Sequence, residues 1–171
     1  MWDFVLSFRL PEGGEEPSGW LDALFAAACD DATIGVGKRG LISLDFSRGG
    51  ESAEHAVGSA IAAVKGAIPG AVLTEVGPDL VSLTDLAEML GCSRQNLRKY
   101  ATGEIRGVHA SFPAPVFTGN PSLWRLAELA AWLEQHTELH LPRALAEVAR
   151  ITSRLNLDLQ NARLHEAIAA A

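Results

Sequence analysis

Apolar and polar residues follow two different periods in the first half of the chain. Apolar or β-branched residues recur at every second position over residues 4–10, 34–36, 42–46 and 72–76, which is typical of half-buried strands. Two stretches between these runs have the spacing of one helical face: Trp20, Leu21, Leu24, Phe25 and Ala28, then Ala56, Val57, Ala60, Ile61 and Val64. Gly-Lys-Arg-Gly at 37–40 predicts a hairpin between the second and third strands. The predicted order is therefore strand, helix, strand, strand, helix, strand.

This order is typical of a ferredoxin-like sandwich, in which both helices cover one face of a four-stranded antiparallel sheet. We expect such a domain over residues 1–78. Residues 1–79 carry five Lys or Arg against twelve Asp or Glu, so the net charge of −7 of the whole chain arises here. Because DNA phosphates repel such a surface, we expect this domain to discourage non-specific DNA contact. We further expect it to bind a protein partner or ligand, or to pair through its sheet.

Residues 83–103, LTDLAEMLGCSRQNLRKYATG, predict two short helices joined at one glycine. In the first helix the apolar positions share one face, and Gly91 ends it in a conformation that only glycine adopts cheaply. Ser93 is a favoured N-cap for the second helix, whose inward face is Leu97, Tyr100 and Ala101. Residues 104–122 predict a loop or short hairpin, and a third helix is expected from Leu123 to Leu133.

The two short helices have the features of a helix-turn-helix. Ala87, Gly91 and Leu97 supply the small residue, the turn glycine and the apolar anchor that this motif needs. The first turn of the second helix would then enter a major groove. Arg94 suits guanine, and Gln95 or Asn96 suits adenine, because each can form a bidentate pair with the base edge. Arg98 and Lys99, one turn later, suit phosphate contacts.

The segment that follows, FPAPVFTGNPSLWRLAELAAWL (112–133), makes the pattern more specific. Together, residues 82–133 resemble the winged helix-turn-helix of the MerR superfamily, especially its small phage-regulator (AlpA) and excisionase-type branch. The resemblance implies a recognition helix at 94–101 and a wing over about 113–125 that reaches the DNA backbone or minor groove. It also implies that Phe112 and Trp124 anchor the wing in the core and that Arg125 contacts a phosphate. The loop at 103–112 is longer than such compact wings usually have.

The sequence supports three other kinds of functional site less well than a DNA-binding one. An RNA-recognition sheet needs aromatic residues on its open face, but the expected open-face positions are Val5, Ser7, Leu41 and Ser43. His136 and His140 lie four apart on an expected helix and could bind a metal, yet no third ligand accompanies them. No nucleophile with its general base stands out, and the glycines at 35–40 do not open a helix. We therefore expect no enzyme, no metal and no cofactor.

A final helix is expected from about Pro142 toward Ala171. Leu141, Leu145, Val148, Leu155, Leu159 and Ala162 form an apolar seam, with Thr152 filling the missing step. Such a seam could pair two copies of the chain or pack against its own domain. The resemblance favours the first alternative, since related MerR regulators dimerise through a C-terminal helix, and we expect a homodimer.

The sequence thus predicts an α+β protein with three parts. They are an N-terminal ferredoxin-like βαββαβ sandwich (1–78), an all-helical winged helix-turn-helix (79–135) and a C-terminal helix (136–171). The expected function is a sequence-specific transcriptional regulator of bacterial or phage type that binds double-stranded DNA. The alternatives are a DNA-architectural or recombination accessory factor, and a protein-interaction module acting through the acidic domain. Two cysteines without paired spacing, no apolar run of about 20 residues and no signal peptide indicate a cytoplasmic protein without membrane contact.

Overall fold

The computed structural model describes residues 1–12, 16–35 and 38–170. The chain is a mixed α+β protein that divides into two compact units. Unit 1 contains Met1–Gly77 and Arg154–Ala171, and unit 2 contains Pro78–Ser153. The boundary at 77/78 lies one residue from the predicted one. The predicted third domain at 136–171 is not a separate unit, because its helix contributes one part to each of the other two.

Unit 1 is built on a four-stranded antiparallel sheet. Its strands are β1 (Trp2–Arg9), β2 (Ala32–Gly35), β3 (Leu41–Arg48) and β4 (Val72–Gly77), in the order β2-β3-β1-β4. The alternation read from the sequence is confirmed for β1 and β3, where Phe4, Leu6, Phe8, Ile42, Leu44 and Phe46 are all at most 1% exposed. Val36 and Gly37 of the predicted hairpin lie outside the described residues.

Two helices contribute to the core of unit 1. They are α1 (Leu21–Ala26), which follows a 3-10 turn at Pro17–Trp20, and α2 (Ala53–Ala67), which Ser52 caps by accepting a hydrogen bond from the amide of His55. The stripe predicted for α2 is confirmed, apart from the half-buried Ile61. The stripe predicted for α1 is wrong beyond Leu24, because Ala28 adopts a left-handed conformation with φ of 57° and the helix has ended there. Phe25 lies within the helix but is 57% exposed, so it does not belong to the buried face.

An internal ion pair holds the segment between α1 and β2 against the end of β3. The Arg48 guanidinium donates to both carboxylate oxygens of Asp31 at 2.7 Å and to the carbonyl of Ala28 at 2.6 Å. These hydrogen bonds hold the pKa of Asp31 below its ordinary value and raise the pKa of Arg48. Burial raises the pKa of the Cys29 thiol beside them, so this cysteine stays protonated. The contacts among Arg48, Asp31 and Ala28 therefore have a structural role.

The edge strand β4 is closed by a side chain of the last helix, α6 (Arg143–Ala169). Asn156 accepts from the amide of Val76 at 2.9 Å and donates to its carbonyl at 2.8 Å. Its amide group thus pairs with the strand as another peptide unit would. Since an open strand edge invites pairing with other chains, this side chain protects one edge of the sheet.

Unit 2 contains helices and a small sheet. The helices are α3 (Leu83–Leu90), α4 (Arg94–Ala101), α5 (Leu126–His136) and the first part of α6, and the sheet pairs β5 (Leu80–Val81) with β6 (Trp124–Arg125). The prediction of an all-helical second domain is therefore wrong. The predicted third helix begins three residues later than expected, because Leu123 forms an antiparallel bridge with Phe117 instead.

The seam predicted on the last helix is largely occupied within the chain. Leu141 and Val148 are buried, and Leu145 packs against the hydrophobic core of unit 2. Thr152, expected to fill a step of the seam, is buried and donates to the carbonyl of Pro78 at 2.5 Å. This part of the helix is consequently not available to a second chain.

Candidate nucleic-acid interface

Local sequence fixes both ends of the turn between α3 and α4. Ser82 caps α3 by accepting from the amides of Thr84 and Asp85 at 3.2 Å, while Asp85 accepts from the Ser82 amide at 2.8 Å. Gly91 ends the helix in the left-handed conformation, with φ of 64°. Ser93 then caps α4 by accepting from the amide of Asn96 at 3.2 Å. The capping residues therefore define a two-helix hairpin in the register that the sequence predicts.

A shared hydrophobic core fixes how α4 lies against the rest of unit 2. Leu97 is fully buried and Ala87 is 4% exposed, as expected for the anchor and the small residue of the hairpin. Tyr100 of α4 makes an edge contact with the ring of Trp132, which also contacts Phe112. Trp132 Nε1 is buried without a hydrogen-bond partner among the described residues. The aromatic cluster ties α4, α5 and the start of the 112–125 segment together.

Four of the five polar residues predicted on α4 are exposed. They are Arg94, Gln95, Arg98 and Lys99, whereas Asn96 is half-buried. Gln95 and Lys99 lie opposite the buried Leu97, because a helix turns by about 100° per residue. Arg94, Gln95 and Arg98 together line a shallow cavity of about 400 Å³ with Leu83 of α3. The hairpin thus presents a compact polar surface on one side of α4.

The cationic groups of α4 are free of partners within the described chain. No ion pair between described residues involves Arg94, Arg98 or Lys99. The nearest acid in sequence, Glu104, accepts a hydrogen bond from the hydroxyl of Thr102 at 2.7 Å. Unpaired surface cations are suited to phosphate and base contacts, because no internal bond has to be broken first.

Arg125 does not belong to this surface. Its Nη1 atom donates to both carboxylate oxygens of Asp79, at 2.9 and 2.8 Å, and the side chains of Arg125 and Asp79 are only 10% and 4% exposed. Ser153 donates to the same carboxylate at 2.7 Å. The phosphate contact predicted for Arg125 is thus contradicted, because its charge is neutralised inside unit 2. This pairing was not predictable from local spacing, since Asp79 is 46 residues away in the chain.

The segment predicted to form a wing contains a hairpin. The amides of Val116 and Phe117 donate to the carbonyl of Leu123 at 2.8 and 3.2 Å, and the amide of Leu123 donates to Phe117 at 2.9 Å. Trp124 anchors the base by donating from Nε1 to the carbonyl of Pro113 at 2.9 Å, and its ring contacts Phe112. Both side chains predicted to anchor the wing thus pack in the core of unit 2. The hairpin's own exposed residues, Val116 and Phe117, were not singled out from the sequence.

A second concave surface lies beside α5. A cavity of about 1120 Å³ is lined by the 105–110 loop, by Tyr100 and by the residues that follow Glu134. Arg106, His109, His136 and His140 all border it. The two histidines predicted to share a helix do not, because α5 ends at His136 and His140 lies in the following loop. Among the described residues no group of three or more side chains could hold a metal ion.

Comparison of the chain with protein-family models, with curated proteins and with solved structures gives no match. None of the helices in the described ranges combines the length and the apolar character needed to cross a bilayer.

Proposed function

We propose that the protein is a sequence-specific DNA-binding regulator of bacterial or phage type, with unit 2 as a winged helix-turn-helix. One observation carries the proposal: α4 follows the capped, glycine-ended α3 and exposes Arg94, Gln95, Arg98 and Lys99, whose side chains have no partners among the described residues. A hairpin of this kind projects its second helix, which is the geometry by which such motifs enter a major groove. The 116–123 hairpin, closed on β5 and β6, supplies the wing.

In this mechanism α4 reads base edges directly. Arg94 pairs with guanine and Gln95 with adenine, while Arg98 and Lys99 hold phosphates that set the register. Asn96 is half-buried, so it contributes less contact than the sequence alone suggested. Arg125 acts indirectly, because its ion pair holds β6 at the base of the wing.

Unit 1 is a ferredoxin-like sandwich in this proposal. Its βαββαβ order and its strand order β2-β3-β1-β4 support that assignment. Its acidity limits non-specific attraction to DNA, so binding has to come from α4 and its neighbours. A cytoplasmic location follows from the proposed target.

Salt dependence tests whether α4 holds phosphates. Binding of the full chain to a selected duplex is expected to weaken as salt rises, because each phosphate contact releases counterions. Lys99→Ala should weaken binding to all sequences and reduce the slope of log K against log salt by about 1. Fluorescence anisotropy of labelled duplexes provides the measurement.

Lys65→Ala is the matched control, because Lys65 is an exposed lysine on α2 of unit 1. It should leave the slope unchanged. An identical slope for the wild type and Lys99→Ala would remove Lys99 from the interface. No measurable binding to any duplex would favour the second candidate function.

The second candidate is a protein-interaction module acting through unit 1. Asp3, Asp30 and Asp45 line a cavity of about 590 Å³ on this unit beside Asp31, whose charge Arg48 already balances, and their carboxylates suit a basic partner. Under this alternative the helix-turn-helix would serve only as a scaffold.

We also propose that two copies pair through the C-terminal part of α6. Leu157, Leu164 and Ile168 are 45%, 57% and 65% exposed, and Asn161 occupies the step between the first two. The resulting Leu-Asn-Leu-Ile pattern at four-three-four spacing is a heptad seam, in which a single Asn fixes register and the number of strands. This seam replaces the one predicted from the sequence, which is partly buried in the chain.

Sedimentation velocity tests the pairing. Leu164→Asp with Ile168→Asp should convert a dimer to a monomer, because both charges would lie in the seam. Phe25→Asp, which alters a phenylalanine of similar exposure on α1, should leave the mass unchanged. A wild-type chain that sediments as a monomer at micromolar concentration would contradict the pairing.

A further inference from the structure

The wing hairpin exposes apolar side chains and carries no charge. Val116 and Phe117 are 51% and 56% exposed. Residues 111–123, SFPAPVFTGNPSL, contain neither an acid nor a base. Protein side chains hold phosphates mainly through Lys and Arg. The hairpin therefore has no cationic side chain with which to hold a phosphate. Its exposed Thr118 and Asn120 can still donate to one, but its large exposed side chains, Val116 and Phe117, are apolar.

The hairpin fixes the backbone of Phe117. The backbone amide of Phe117 donates a hydrogen bond to the carbonyl of Leu123, and the carbonyl of Phe117 accepts one from the amide of Leu123. The ring lies directly over Gly119, so closely that a Cβ at this position would overlap it. Ser122 stabilises the turn by donating from its hydroxyl to the carbonyl of Gly119 at 3.1 Å. An exposed aromatic ring thus lies on the isolated β-bridge that closes the hairpin of unit 2.

The base of the hairpin is connected directly to the α3–α4 surface. The chain enters β6 immediately after Leu123, and β6 pairs with β5, which leads through Ser82 into α3. Leu83, the first residue of α3, lines the cavity shared by Arg94, Gln95 and Arg98. The exposed apolar residues of the hairpin, Val116 and Phe117, and the cationic helix α4 are therefore parts of one compact unit.

We propose that Phe117, with Val116 beside it, enters the minor groove next to the base pairs that α4 reads and wedges open a base step, so that the duplex bends. This inference rests on the proposed DNA-binding function. Apolar side chains inserted between base pairs unstack them and kink the duplex by about 20–90° toward the major groove. Pyrimidine–purine steps unstack most easily, so a flexible step is expected beside the α4 site.

The alternative to DNA is a partner protein that binds the exposed side chains of Val116 and Phe117. The charge pattern favours DNA, because the same unit carries Arg94, Arg98 and Lys99, which form no ion pair with any residue that the structure describes. The uncharged hairpin adds no acid that a phosphate would repel. A wedge also gives a role to an aromatic ring that is exposed rather than packed in the core of unit 2.

The test uses the full-length chain and a duplex selected for binding. Circularly permuted fragments measure the bend, and 2-aminopurine placed at each flanking step reports unstacking by increased fluorescence. The wild type is expected to bend the duplex by about 20–90° and to increase the fluorescence at one step. Phe117→Ala should lose most of both signals while it keeps the base preference set by α4, with affinity lowered by no more than about tenfold.

Two further variants control for general effects. Phe117→Leu keeps an apolar wedge and should retain most of the bend. Phe25→Ala removes an equally exposed phenylalanine from unit 1 and should behave as the wild type. If Phe117→Ala binds and bends the duplex as the wild type does, the wedge is excluded while the proposed function stands. If the wild type binds no duplex, the proposed function fails and the wedge fails with it.

Discussion

Replacing Arg125 by methionine is expected to lower the free energy of unfolding by about 3–5 kcal/mol, because the change leaves the buried Asp79 carboxylate without its cation. Asp79 is only 6% exposed, so water cannot replace the lost partner. Ser153 still donates one hydrogen bond to it, which compensates for a small part of the charge. The effect should be visible as a lower urea midpoint, followed by circular dichroism and tryptophan fluorescence.

Arg154→Met is the matched control for this experiment. Arg154 also forms an ion pair, with Glu54, but both side chains are more than half exposed. Solvent-exposed pairs contribute roughly 0–1 kcal/mol, so the control should change the midpoint little. The double variant Asp79→Leu with Arg125→Met should lose less stability than Arg125→Met alone, since it removes both charges. Equal small losses for Arg125→Met and Arg154→Met would contradict the structural role of Arg125.

Replacing Arg94 by alanine is expected to weaken binding at the preferred DNA site by about 1–3 kcal/mol, or roughly 5- to 150-fold. Arg94 lies in the first turn of α4, where side chains of a recognition helix reach base edges. The loss should be greatest at one base position, because a bidentate arginine discriminates one base pair from the others. Binding to unrelated duplexes should change much less.

Affinities for the preferred duplex and for its single-base variants check this prediction. Arg163→Ala provides the control, because Arg163 is an exposed arginine on the C-terminal part of α6. It should leave both affinity and base preference unchanged. Equal affinities of Arg94→Ala and the wild type for the preferred site would show that α4 does not read the DNA through Arg94.

Elements that depend on local pattern were predictable from the sequence. The buried face of β1 and β3 follows from alternation, and the α3–α4 hairpin follows from Ser82, Gly91 and Ser93, which act on their immediate neighbours. The length of α1 was not predictable, because its end depends on the left-handed conformation of Ala28. That conformation is supported by Arg48, which lies 20 residues away.

In the candidate site, only those features that depend on the geometry of a single helix were predictable from the sequence. The exposure of Gln95 and Lys99 follows from the position of Leu97 on the opposite side of the helix, so spacing was sufficient for these two residues. Arg125 looked like an accessible cation, and only the folded chain brings Asp79 to it. Phe117 was unassigned because apolar residues in a short hairpin usually pack inward, and sequence spacing contains no information on the ring's exposure.

Selection of bound sequences from a random double-stranded DNA pool by the full-length chain tests directly whether the protein recognises a specific DNA site. We predict enrichment of one defined site, with palindromic halves if two copies bind together, and relaxed preference at one position for Arg94→Ala. A folded wild-type chain that enriches no sequence above the starting pool would contradict sequence-specific DNA binding.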